Sequence, residues 1–190
     1  MPLTGLTQNR ATDRMVGTVP DETRDSVVGM PPVHPELEPL AFLLGTWRGE
    51  GDGEYPTIDP FRYGEEMVFE HVGDPFLLYR QSSWLLDDER TPLHFERGFL
   101  RPGAETGSVE LALAHPLGLT EISQGRIDGP DIVFASDSMG RSHTGSAVTG
   151  LARRYRVEGD RLTYELDMAM DETPMTRHLV AELRRDFTPT

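Results

Sequence analysis

The sequence predicts an all-β protein, a ten-stranded antiparallel β-barrel preceded by one short helix. Three observations carry that prediction. Apolar and aromatic residues recur at every second position through most of the chain, and the separators between those runs are rich in turn residues. No long helical pattern intervenes to carry parallel crossovers, so a meander closing on itself is the natural architecture.

Taken in order, residues 1–33 carry Thr, Asn, Asp, Pro and Gly with scattered apolar side chains. Such a composition buries too little surface to offset ordering entropy, so a disordered tail is expected there, ahead of a barrel domain over 34–190. Leu37, Leu40, Ala41 and Leu44 have roughly helical spacing between Pro35, which suits a first turn, and Gly45, which suits a stop. That short helix leads into a first strand, Gly45-Thr46-Trp47-Arg48-Gly49-Glu50-Gly51. Glycine costs a strand entropy and a packing partner, so its recurrence marks a close approach by something else. Trp47, alone on the alternate face, is expected to plug one end of the barrel.

Alternation is plain in the second strand, where Phe61, Tyr63, Glu65, Met67, Phe69 and His71 share one face and Arg62, Glu66 and Glu70 the other. Glu65 breaks the apolar row. Similar runs follow at about 76–86, 92–101, 108–115, 118–127, 131–137, 146–157, 161–170 and 178–186, divided by turn signals such as Gly73-Asp74-Pro75, Asp128-Gly129-Pro130 and Glu158-Gly159-Asp160. Eight strands enclose room for one small ligand and two more widen the interior, so ten predict a cavity, with function inside it.

A chain of 190 residues suits one domain. Its 18 basic against 32 acidic residues give a net charge of −14, a field that repels nucleic-acid phosphates and anionic lipid headgroups, so neither is expected as a partner. No stretch approaches the ~18 apolar residues of a membrane-spanning helix, and the start lacks a basic segment followed by a hydrophobic one; a cytoplasmic location is expected. Cysteine is absent, which removes disulfides, thiolate catalysis, cysteine-ligated zinc and iron–sulfur clusters.

Residue physics alone does not rank the six histidines, His34, His71, His94, His115, His143 and His178, because a histidine on a half-buried strand is more often a satisfied polar residue than a ligand. His115 shares an alternating face with Val109, Leu111 and Leu113, which would place it on a cavity wall. Met67, Met168 and Met170 read as core, with side chains soft enough to lie against a flat ring system. Asp87-Asp88-Glu89 and Asp171-Glu172 read as turns, and Glu65 and Glu66 face opposite sides of one strand and cannot share a proton. No Gly-x-Ser-x-Gly elbow, phosphate loop or His-Glu-x-x-His helix occurs, which leaves hydrolases and nucleotide enzymes without support.

Several motifs recur in order between Pro35 and Arg185: Gly45-x-Trp47-x-Gly49-x-Gly51, Tyr55-Pro56-Thr57-Ile58, Leu93-His94-Phe95-Glu96-Arg97-Gly98-Phe99-Leu100-Arg101, Met168, and His178-Leu179-Val180-Ala181-Glu182-Leu183-Arg184. In this set the chain resembles the nitrobindin family, small haem proteins whose barrels are similar to those of lipocalins and fatty-acid-binding proteins. The resemblance implies a ferric haem b, held without covalent attachment, that binds nitric oxide and isomerises peroxynitrite to nitrate. It implies His178 as the iron ligand and catalytic centre, His94 and Met168 on the opposite side of the haem, and Thr57 as a haem contact. With no cysteine, any protein ligand to the iron must be histidine, methionine or tyrosine. The haem propionates need donors, and Arg153 or Arg154 is a candidate, against the alternative of a solvated face or a surface ion pair.

One tension stands in the last motif. Simple alternation groups His178 with Val180 and Glu182, whereas the more apolar set is Leu179, Ala181 and Leu183. Either His178 precedes the regular strand or a bulge re-aims it. The competing functional reading is a non-enzymatic carrier of an apolar small molecule, or of haem itself, in a lipocalin-like barrel. A symmetric homodimer is compatible with either.

Overall fold

All ten strands belong to one closed antiparallel sheet: β1 (Gly45–Tyr55), β2 (Ile58–His71), β3 (Leu77–Leu85), β4 (Pro92–Pro102), β5 (Ser108–His115), β6 (Leu119–Asp128), β7 (Asp131–Arg141), β8 (Val148–Glu158), β9 (Arg161–Met170) and β10 (Thr173–Asp186). Each strand pairs with its sequence neighbours and β1 closes onto β10, so the sheet has no free edge. The structure, a computed structural model, describes residues 30–187. Of the tail expected over 1–33, residues 1–29 lie outside the described residues, and Met30–Val33 are exposed and without regular structure. No helix among the described residues is long and apolar enough to cross a membrane.

The expected helix forms over Pro35–Leu43, but as a 3-10 helix. Its buried residues are Leu37, Leu40 and Leu43, spaced by three, while Ala41 is exposed; the apolar stripe follows the 3-10 repeat instead of the α-helical one. Pro39 inside the segment removes a backbone donor and disfavours extension as an α-helix. The leucines close one end of the barrel together with Trp47, which is fully buried and donates its indole N–H to the Leu43 carbonyl at 2.7 Å. The guanidinium of Arg185 covers the indole at 4.1 Å and also donates to the carbonyl of Phe42 at 2.7 Å.

The register explains two of the glycines. Gly51 pairs with Tyr63 and Gly53 with Phe61, and a Cβ at either position would strike the partner's ring. Aromatic side chains of β2 thus lie across the β1 backbone, filling the space that a side chain on β1 would take.

Two strands run longer than their alternation suggests. β7 continues to Arg141 and pairs with β6 across a register shift between Ile122 and Ser123, which breaks the period of two. β10 begins at Thr173 and pairs with β9 through two register shifts, one between Thr173 and Thr176 and one between Arg177 and Leu179. Each shift flips the inward set, so the sequence pattern reads cleanly only after His178.

Candidate functional site

Opposite the helix-capped end, residues beside the connections after β1, β3, β5 and β7 line a cavity of about 470 Å³. Leu93, Leu119, Leu151, Leu166, Met168 and Leu179 give it apolar walls, and Gln81, Glu96, His115 and Arg153 give it a polar floor. His94 and His178 also line it. The expected internal cavity is therefore present, and it combines an apolar surface with a few convergent polar groups, as ligand sites do.

His178 enters this cavity because of the second shift in β10. Arg177 pairs with Asp167 and Leu179 with Leu166, so His178 is the inserted residue of a bulge. Val180 and Glu182 beyond it are exposed, while Ala181 and Leu183 are buried. Of the two ways the sequence left open for His178 to turn inward, the bulge is the one observed. Its Nδ1 lies 2.9 Å from the carbonyl oxygen of Glu54. A carbonyl only accepts, so Nδ1 carries a proton, and in the neutral imidazole Nε2 is the nitrogen with the lone pair. The ring is held edge-on by Tyr55 at 5.4 Å and by Phe61 at 6.3 Å. Imidazoles that ligate metals are held in this way, with one nitrogen hydrogen-bonded to fix the tautomer and the other free.

The polar floor is a buried charge cluster. Glu96 Oε2 lies 3.2 Å from His115 Nδ1, 3.5 Å from His94 Nε2 and 3.2 Å from Arg153 Nη2. His115 Nδ1 lies 3.3 Å from His94 Nε2, and His115 Nε2 lies 3.3 Å from Glu121 Oε2. Arg153 bridges the two acids, its Nη1 pairing with Glu121, and the Tyr79 hydroxyl donates to Glu96 Oε1 at 2.9 Å. Burial acts to raise the carboxyl of Glu96, but Arg153, His115 and His94 overcome it and hold the group well below its ordinary value. Glu121 is likewise lowered, its burial outweighed by Arg153, His115 and Ser123. Burial pulls the His115 imidazole down, yet Glu121 and Glu96 outweigh it and lift the group to about 9. At neutral pH two carboxylates thus face two cations.

Glu65, which interrupts the apolar row of β2, is fully buried and close enough to Glu96 to feel its charge. Burial, reinforced by Glu96 and opposed by the Gln81 amide, raises it to about 8, so it is a neutral acid at pH 7. Its Oε2 has no hydrogen-bond partner, which an ionised carboxylate could not tolerate in this position.

The remaining predicted residues divide. His94 and Met168 line the cavity with His178, and so does His115. Thr57 does not; it is exposed in the turn between β1 and β2, beside the lining residues Ile58 and Asp59. Arg153 does line the cavity, but both of its terminal nitrogens are held by Glu96 and Glu121, so neither is free for a propionate and neither a solvated face nor a surface ion pair describes it. Alternation along β8 turns Arg153 inward and Arg154 outward, where Arg154 pairs with Asp131 at 3.1 Å. Glu96, Glu121 and Tyr79 had no predicted role. Their signal was a charged or polar residue at an inward position of a strand, the same signal that Glu65 gives.

Residues 36–185 match the family described as the THAP4-like, heme-binding beta-barrel domain. A protein named peroxynitrite isomerase from Nocardia farcinica (strain IFM 10152) is 49% identical over 158 residues, which cover 81% of this chain and 93% of that protein. Peroxynitrite isomerase 2 of Mycobacterium ulcerans (strain Agy99) is 48% identical over 157 residues, covering 80% and 96% respectively. The crystal structure of Rv2717c from M. tuberculosis matches with a TM-score of 0.75 at 46% identity, over 82% of this chain and 99% of that one.

Proposed function

This chain belongs to the nitrobindin family of THAP4-like, haem-binding β-barrel domains, and on that premise we propose that it holds haem b in the barrel cavity and isomerises peroxynitrite to nitrate. The observation that carries the reading is His178, turned into the cavity by a bulge with Nδ1 bound to the Glu54 carbonyl and Nε2 free. Haem would need such an imidazole and apolar walls to hold it, and the cavity offers both. When bound, ferric haem would supply a Lewis-acidic iron for the isomerisation of peroxynitrite to nitrate.

The chain's own residues bind, orient and confine. His178 is the iron ligand in this reading, and its Nδ1–H···O=C bond fixes the orientation of the ring. Leu93 and Met168 keep the facing part of the cavity apolar, which limits escape of fragments into water. His115, cationic between Glu96 and Glu121, directs Nδ1–H toward Glu96. His94 lines the cavity, where its imidazole can meet an anionic ligand. Thr57, exposed at the rim, offers a hydroxyl to the polar edge of haem. The same cavity face accepts nitric oxide in this reading.

The test is stopped-flow decay of peroxynitrite by the haem-loaded ferric protein, with nitrate and nitrite yields measured beside the haem-free protein. Faster decay with a larger nitrate share is expected from the loaded protein. Equal decay and equal yields in the two samples would remove the enzymatic reading and leave a carrier.

A further inference from the structure

From the geometry of the cavity floor we infer a second metal site, separate from His178, in which His94 Nε2, His115 Nδ1 and Glu96 Oε2 bind a divalent zinc ion with one position open to the cavity. The three atoms form a nearly equilateral triangle with edges of 3.3, 3.2 and 3.5 Å. Zinc bonds of about 2.0–2.1 Å in tetrahedral geometry set neighbouring ligand atoms about 3.3–3.4 Å apart, so these three atoms already stand at the corners of one tetrahedral face. Two histidines and a carboxylate with a vacant fourth position is a donor set that zinc takes in open, ligand-accepting sites. Among the described residues, this is the group of histidine and acidic side chains whose potential ligand atoms all lie within 4.8 Å of one another.

The surroundings match the second shell of such a site. The other nitrogen of His115 lies 3.3 Å from Glu121 Oε2 without a hydrogen bond between them, and a small turn of either side chain would form the carboxylate–histidine pair that orients metal-bound imidazoles. Glu96 is steadied by the Tyr79 hydroxyl on Oε1. Zinc at this point takes the place of the proton that His115 Nδ1 otherwise directs at Glu96, so the metal and Arg153 together face Glu96 and Glu121. The site does not depend on haem, because none of its three ligands is His178.

The test is equilibrium dialysis of zinc against the full-length protein after removal of metal by chelator, with zinc counted by elemental analysis and its ligands read by X-ray absorption at the zinc edge. One zinc per chain is expected, with two histidine nitrogens in its shell. His94→Ala is expected to weaken binding at least 100-fold, Glu121→Gln by about 10–100-fold through the second shell, and His178→Ala to leave it unchanged. His94 is partly exposed, so its variant should keep the fold, which circular dichroism checks. Zinc retention by His94→Ala equal to that of the unaltered chain, loss in His178→Ala equal to that in His94→Ala, no zinc bound at all, or a zinc shell without histidine would each overturn the site.

Discussion

The carbonyl of Glu54 and the imidazole of His178 meet at 2.9 Å across the seam where the barrel closes. Pairing of Gly53 with Leu179 brings the last residues of β1 alongside the bulge in β10, so the first and the last strand position this imidazole together. Closure of the barrel and orientation of the His178 ring are one structural event.

Gly53 is part of that event, because the ring of Phe61 lies where a Cβ would be and the same ring packs on His178. Gly53→Val is expected to displace Phe61 and loosen the imidazole, lowering hemin affinity by about tenfold or more while the fold persists. Hemin titration followed by absorbance, with circular dichroism beside it, checks this.

Arg153 is buried between Glu96 and Glu121, and removing it leaves two carboxylates without their guanidinium. Arg153→Met is expected to cost about 3–5 kcal/mol in urea unfolding. The triple variant Arg153→Met, Glu96→Gln, Glu121→Gln should recover much of that loss, since the residues act as one network.

Glu65 predicts a pH dependence with a definite sign. Its carboxyl is raised from 4.5 to about 8 in the folded chain, so the folded state binds the proton more tightly than the unfolded state. Its contribution to stability is full below pH 4.5 and is lost as pH rises toward 8. At about 1.4 kcal/mol per pK unit, the interval corresponds to roughly 5 kcal/mol. The difference in unfolding free energy between the unaltered chain and Glu65→Gln should therefore fall across that window; a difference flat from pH 5 to 8 would contradict the buried neutral acid.

Trp47 and the 3-10 helix stabilise the closed end and lie away from the cavity. Trp47→Phe removes the donor to the Leu43 carbonyl and is expected to cost about 1–3 kcal/mol. Hemin affinity should stay the same, which separates the plug from the site.

The strand count, the helix, the plug and the cavity were legible in the sequence because alternation and turn residues repeat ten times and Trp47 stands alone among glycines. What blurred were the places where the period breaks. The bulge at His178 and the shift at Ile122 and Ser123 each reset the inward face, so β10 reads from 178 although it begins at Thr173, and β7 reads to 137 although it runs to Arg141. The type of helix also lay below the resolution of spacing, since Leu37 and Leu40 fit periods of three and of 3.6 alike. The charge cluster was hidden for another reason. Glu96, Glu121 and Arg153 come from β4, β6 and β8, and a partner two strands away leaves no local mark.

The central claim is that His178 Nε2 binds the haem iron, and hemin titration of the unaltered chain, of His178→Gly and of His178→Gly with added imidazole tests it most directly. A Soret band should form with the unaltered chain, be lost in the variant and return when free imidazole fills the vacated space. A Soret band of unchanged position and strength in His178→Gly alone would contradict the claim and move the iron to another residue.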